Sequence, residues 1–405
     1  MYKILVVDDS ALMRRIICDI INADSDFRVV DVSADGEDAY NKIKNNAYDL
    51  IVLDMVLPKL PGVNLLERLY NEHVPFNVVL VSSSIREEAD STMKAMEYGA
   101  LDFVVKPIRS SGETREIFGR QLLESLHNVS RSRAFKQIAP KGGASETTKA
   151  IDESRKSTSE KMSNVRSTLE SIKNGIGNAQ TNATPEPKPQ IQSAPQKPAT
   201  DKAPTPTGTG VRTKKLIALA CSTGGPQALH TFVPMLPGNL SVPLVLVQHM
   251  PEGFTASLAA RLDQISSVKV KEAEEGEFFK PGVVYVTPGG KHMKICEDAS
   301  HAAFCHLDDS PPVNSLKPCA DVMYESLTTS SFDEIICVVL TGMGADGSAG
   351  IRTLNKHKKT YVISQEASTC VVYGMPKAVE QGGLSDEVVP LKSVANSIVK
   401  KLGGL

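Results

Sequence analysis

Residues 216–226, LIALACSTGGP, form an apolar run that stops at Ser222, with Gly224, Gly225 and Pro226 behind it. The pattern reads as a buried strand followed at once by a helix with proline in its first turn. The Ser222 hydroxyl would then stand beside the free N–H groups of a helix start, where an oxyanion can be held. A serine at this place can also serve simply as a helix cap. Two other apolar runs end in groups that would complete a hydrolytic site. VPLVLVQHMP ends in His249, and IICVVLTGMGADG carries Asp346 in a glycine-rich turn. Neighbouring strands would bring a nucleophile, a base and an orienting acid to one sheet edge. The order Ser…His…Asp differs from the Ser…Asp…His of α/β-hydrolases. Ala220 also replaces the first glycine of G-x-S-x-G, so this is not their nucleophile elbow.

A second constellation lies in the N-terminal third. Asp8 and Asp9 end the run KILVVDD, Asp54 ends DLIVLD, Ser82 ends NVVLVS, and Lys106 follows in DFVVKP. Three carboxylates at one sheet edge repel each other unless a cation neutralises them, and an all-oxygen donor set suits Mg²⁺. A metal there would shield an incoming phosphoryl group and leave one aspartate free to attack it. Ser82 and Lys106 could contact the phosphoryl oxygens.

The elements that must position these groups follow from the alternation of apolar runs and helical segments. From residue 1 to about 130 five strand-like runs interleave with helices starting near Ala11, Glu37, Val63 and Glu87, which predicts a parallel sheet with helices on both faces. The same alternation resumes at 213 and continues to 405 in LIALAC, LVLVQH, VVYVTPGG, IICVVLTG and TYVISQ, a second doubly wound α/β domain. Between them, residues 131–212 are polar and then proline-rich, the composition of a disordered linker. Inside it Met162, Val165, Leu169, Ile172 and Ile176 fall at helical spacing, as in a short partner-docking helix or an isolated segment too short to hold together.

Composition narrows the function classes. A formal net charge of −2 argues against a broad nucleic-acid surface. The first residues read as a strand rather than a signal peptide, and no apolar run reaches the length of a membrane span, so direct membrane insertion is not expected. Seven cysteines without a C-x-x-C pair suggest reduced thiols in a cytoplasm. Cys296, His301, Cys305 and His306 match no zinc spacing and read as core or surface residues. GMGADG followed by Glu366 has the outline of a dinucleotide fingerprint, but Asp346 would repel a pyrophosphate in that turn. A receiver-linked nucleotide-binding or DNA-binding regulator is the alternative reading; the latter would need a basic helix-turn-helix.

VVDDSALMRR, LDMVLPKLPG, VSSS and FVVKPI resemble the flavodoxin-like receiver domain of two-component response regulators. ACSTGGP, QHMPEGF, VYVTPGGKHM, LTGMGADGSAG and SQEASTCVVYGMPKAV resemble the catalytic domain of chemotaxis protein-glutamate methylesterases, the CheB family. The resemblance implies Asp54 as phospho-acceptor, with Asp8, Asp9, Asp54 and the Val56 carbonyl around Mg²⁺. It implies Ser82, Phe103 and Lys106 as switch residues. It also implies a Ser222–His249–Asp346 triad, with Thr223 and Met343 as oxyanion-hole candidates and no cofactor for the ester chemistry. The implied activity is phosphorylation-activated hydrolysis of glutamyl methyl esters, with glutamine deamidation, in chemotaxis adaptation. Its implied partners are methylated chemoreceptors and a chemotaxis histidine kinase. The connection of residues 131–212 is longer than the short connector expected from the resemblance, and a tether with an r.m.s. span of about 50 Å gives modest effective concentration, which predicts weaker autoinhibition.

Overall fold

The computed structural model describes residues 1–83, 86–107, 112–131 and 214–404. The helical stripe at 162–176 and nearly all of the expected linker lie outside them.

In the N-terminal part, β1 (Tyr2–Val7), β2 (Phe27–Ser33), β3 (Leu50–Asp54), β4 (Val78–Ser82) and β5 (Asp102–Val105) form a parallel sheet in the order β2-β1-β3-β4-β5. The helices are α1 (Ala11–Asn22), α2 (Gly36–Asn45), α3 (Gly62–Asn71), α4 (Arg86–Glu97) and α5 (Gly112–Arg131). Ser10 caps α1 by accepting from the Met13 N–H, and Asp35 caps α2 through the Asp38 N–H. Every residue of β3 and β4 is buried, because helices cover both faces and leave no solvated side to alternate with. Ile4 and Val6 face Ile17, Ile21, Phe118 and Leu122, whereas Leu5 and Val7 face Leu65, Leu69 and Met93. The strand order reverses at β1, which opens a crevice at the carboxyl ends of β1 and β3.

The C-terminal part repeats the scheme with β6 (Lys215–Cys221), β7 (Leu244–Gln248), β8 (Lys269–Glu272), β9 (Val283–Val286), an antiparallel hairpin of β10 (His292–Glu297) and β11 (Ala303–Asp308), then β12 (Glu334–Val339), β13 (Lys359–Gln365) and β14 (Glu387–Val389). The parallel sheet runs β14-β13-β12-β6-β7-β9-β8, so β6 stands between β12 and β7. One face carries α6 (Gly225–Phe232), α7 (Phe254–Ile265) and α11 (Leu391–Leu402); the other carries α8 (Ala320–Ser326), α9 (Ser348–Leu354) and α10 (Met375–Gln381).

The two sheets belong to one compact unit. Helix α4 packs on α6 and α7, and the apolar layer beneath α2–α4 is continuous with the layer beneath α6, α7 and α11. Phe103 of β5 stacks on Phe254 at the start of α7, with centroids 4.8 Å apart and ring planes 23° from parallel. Beside them the Arg261 guanidinium pairs with both oxygens of Glu97. The strands and helix starts expected from the sequence are all present. The short, partly exposed strands β8, β10, β11 and β14 were not expected. Among the described residues, Cys296, His301, Cys305 and His306 form no cluster of convergent ligand atoms; Cys305 is buried in the core and His306 pairs with Glu275.

Candidate functional site

At the first sheet edge, the ligand atoms of Asp8, Asp9 and Asp54 all lie within 4.8 Å of one another. Lys106 reaches in from the end of β5, its Nζ 2.6 Å from Asp54 Oδ2 and 3.0 Å from Asp8 Oδ2. Asp8 Oδ2 is buried and has no hydrogen-bond donor aligned on it despite that ion-pair contact. Burial pushes the Asp54 carboxyl up to about 6, against the pull of the Lys106 ammonium. This is a site built for more positive charge than Lys106 alone supplies, and the all-oxygen set of Asp8, Asp9 and Asp54 fits Mg²⁺. The Val56 N–H lies 3.4 Å from Asp54 Oδ1, which places that residue beside the acid. Ser82 Oγ is fully buried, 3.2 Å from Glu88 Oε2, and accepts from Thr92 Oγ1 at 3.0 Å. Both partners belong to α4, the helix that packs on α6 and α7, so the end of β4 is wired to the contact between the two sheets.

At the second edge β12, β6 and β7 lie side by side, with Ser222 directly after β6, His249 directly after β7 and Asp346 in the turn between β12 and α9; among the described residues no hydrogen bond joins Ser222 Oγ to His249. The turn after Ser222 is tight: the Ser222 carbonyl accepts from the Gly225 N–H at 2.6 Å and from Gln248 Nε2 at 3.0 Å. Gly224 has φ +76°, and a Cβ on Gly225 would meet Gln248 Oε1 at 1.9 Å, so both glycines are needed there. The Gln248 amide also binds the His249 carbonyl, tying the ends of β6 and β7 into one rigid corner.

His249 Nε2 is 2.7 Å from Asp346 Oδ2. Asp346 is nearly buried. Burial alone would raise its carboxyl, but the His249 ring and the backbone N–H groups of Ala320 and Asp321 outweigh it and hold the group at about 2. The Asp346 carboxyl therefore stays ionised at neutral pH. The Thr341 hydroxyl donates to the Thr223 carbonyl at 3.0 Å, fixing the residue after Ser222.

Ser222, Thr223, Gln248, His249, Met343 and Gly344 line a cavity of about 980 Å³. Its opposite wall is the first part of the chain: Asp102, Phe103, Ile117, Gln121 and Asn128. Thr223 Oγ1 lies 3.4 Å from Asp102 Oδ2, and Asn128 Nδ2 lies against Met343 Sδ at 2.7 Å. Sequence reading missed Gln248, Asp102 and the start of α8. Gln248 had a signal, a polar residue ending an otherwise apolar strand just before His249. Asp102 read only as the head of β5.

These features define a two-part signalling protein, a response-regulator receiver packed against a parallel α/β effector domain. Family models for the "response regulator receiver domain" and "CheB methylesterase" match residues 4–116 and 217–398. A "protein-glutamate methylesterase/protein-glutamine glutaminase 1" of Syntrophomonas wolfei is 34% identical over 404 residues, 99% of each chain. A relative of Geobacillus kaustophilus with the same name lacking the numeral is 35% identical over 409 residues, again 99% of each. The crystal structure of the Thermotoga maritima CheB methylesterase catalytic domain is 40% identical, covers 47% of this chain and 99% of that one, and has a TM-score of 0.45. The chain belongs to the CheB methylesterase family, in the form that carries a receiver domain.

Proposed function

We propose that this protein hydrolyses glutamyl methyl esters, and deamidates glutamines, on chemoreceptors, and that receiver phosphorylation releases the activity. The observation that supports the reading is the Asp346 carboxylate bonded to the ring of His249 just past β7, with Ser222 following the neighbouring strand β6. In this reading residues 1–130 are the receiver, 131–212 the connection and 213–405 the catalytic domain.

Ser222 Oγ attacks the ester carbonyl while His249 Nδ1 takes its proton. The ionised Asp346 fixes the imidazole tautomer and stabilises the imidazolium. The Thr223 N–H, with that of Met343, receives the oxyanion. Methanol leaves with the proton from His249, and water then enters by the same base to free the glutamate and regenerate Ser222. A glutamine substrate follows the same path with ammonia as the leaving group.

On the receiver, Asp54 is the phospho-acceptor and a chemotaxis histidine kinase the donor. Mg²⁺ held by Asp8, Asp9, Asp54 and the Val56 carbonyl would neutralise the phosphoryl oxygens. Lys106 gives up its contact with Asp54 to bind the phosphoryl group, and Ser82 turns toward it from Glu88. That turn pulls on α4, while Phe103 leaves Phe254, so the receiver wall of the cavity separates from the catalytic wall. In this reading the protein works in the cytoplasm, where its kinase donor would act. The test is mass spectrometry of receptor peptides after incubation with the parent or with Ser222→Ala. Glutamyl methyl esters converted to glutamate by the parent alone support the triad, since loss of the nucleophile costs on the order of 10⁶ in turnover. Equal conversion by Ser222→Ala would overturn it.

A further inference from the structure

Asp346 sits in a turn, residues 342–347, that contains Gly342, Gly344 and Gly347. Such a turn has little stiffness of its own, and a carboxylate carried on it must be held from outside. The structure holds it from the start of α8. Asp346 Oδ1 accepts from the Asp321 N–H at 2.9 Å, from the Gly347 N–H at 3.0 Å and from the Cys319 thiol at 3.1 Å. Its Oδ2, the oxygen on His249, also accepts from the Ala320 N–H at 2.6 Å.

The hold is reciprocal. Asp321, itself nearly buried, turns its side chain the other way: Oδ1 accepts from the N–H groups of Gly347 at 2.9 Å and Gly350 at 2.6 Å. Each aspartate thus binds backbone N–H groups of the other's segment. The contact is so close that a Cβ on Gly350 would lie 2.8 Å from the Asp321 Cα. Burial, and after it the Asp346 charge, push the Asp321 carboxyl up against the pull of the Gly350 N–H. A second carboxylate next to the first is unfavourable in itself, and the hydrogen bonds to the turn are what it supplies in return.

We propose that Asp321 is a positioning residue for the hydrolytic reaction, clasping the 342–347 turn to α8 so that the Asp346 carboxylate stays on His249 Nε2. Its kinetic consequence rests on the hydrolase reading above. It touches neither substrate nor the reacting atoms, and acts through Asp346. Other titratable neighbours of the clasp are Cys319, Tyr324 and Glu325.

The experiment uses the full chain, with Asp321→Ala and Asp321→Asn. Two quantities are read: the downfield NMR signal of the His249 ring N–H that faces Asp346, and kcat and KM for methanol release from methylated receptors. In Asp321→Ala the turn loosens, the ring loses its carboxylate partner, and that signal moves upfield or disappears into exchange. There kcat falls by about 10²-fold, as for a reacting group misplaced by an ångström, while KM stays nearly unchanged. Asp321→Asn keeps the oxygen that accepts both N–H groups and restores both quantities to near the parent's. A folded Asp321→Ala with the parent's ring N–H signal and kcat would overturn the clasp, as would an Asn variant that behaves like Ala. If Asp321→Ala does not fold, Asp321→Ser is read in the same two ways. The ring N–H signal needs no turnover, so a parent without esterase activity overturns the hydrolase reading and leaves the clasp to be decided by that signal.

Discussion

Replacing Phe103 with alanine should switch the unphosphorylated enzyme partly on. Its ring stacks on Phe254 of the catalytic domain at 4.8 Å and is one of the receiver groups that wall off Ser222 and His249. A stacked aromatic pair contributes about 0.5–1.5 kcal/mol beyond the area it buries, and full burial of a phenylalanine adds about 1.5–3 kcal/mol. Phe103 is only half-buried, and part of that burial lies within the receiver, so about 1–2 kcal/mol belongs to the contact between domains. Where the closed arrangement dominates, that loss opens the cavity about 5–30-fold more often, and methanol release without phosphodonor rises by the same factor. The assay is methanol release from methylated receptor membranes, with and without a small phosphodonor. The ratio of the two rates should shrink, because the variant starts nearer the open state. Arg261→Ala, which breaks the Glu97 ion pair at the same contact, should act in the same direction without touching a switch residue. A folded Phe103→Ala whose basal rate equals the parent's, with Arg261→Ala equally silent, would refute the view that this contact keeps the site closed.

Three further outcomes follow from the same contacts. Burial pushes the Asp102 carboxyl up to about 6, so its charged form opposes the closed arrangement; the parent should gain stability relative to Asp102→Asn as pH falls from about 6 toward the ordinary 3.8 and lose it above 6. Thermal melts across that range should show the Asn variant more stable at pH 8 by at most about 3 kcal/mol, and a difference independent of pH would contradict the assignment. Asp54→Asn should keep the basal rate and lose all stimulation by phosphodonor; retained stimulation would place the acceptor elsewhere. Gly225→Ala forces a Cβ onto the Gln248 amide, which must release the Ser222 carbonyl, and kcat should fall by about 10²-fold with the fold intact by circular dichroism.

Much of this architecture is legible in the sequence because parallel strands buried on both faces must be continuous apolar runs. Each candidate site residue then stands out as the polar group that follows one: Asp54 after DLIVL, Ser222 after LIALAC, His249 after LVLVQ. What stays hidden depends on distant surfaces meeting. Strands β8, β10, β11 and β14 are short and carry lysines, histidines and glutamates, so no apolar period marks them. Asp321 reads as an ordinary acid in the first turn of a helix, since nothing local shows that its carboxylate faces Gly347 and Gly350. Asp102 and Phe103 carry no mark of lying across a cavity from Ser222, because that placement comes from the packing of α4 on α6 and α7.

The most direct test of a receiver-gated serine hydrolase is methanol release from methylated chemoreceptor membranes by the full chain, measured with Mg²⁺ before and after adding a small phosphodonor. Slow release that rises on addition, and is absent from Ser222→Ala in both conditions, is the expected result. Release that ignores the phosphodonor, or that survives loss of Ser222, would contradict the gating or the nucleophile respectively.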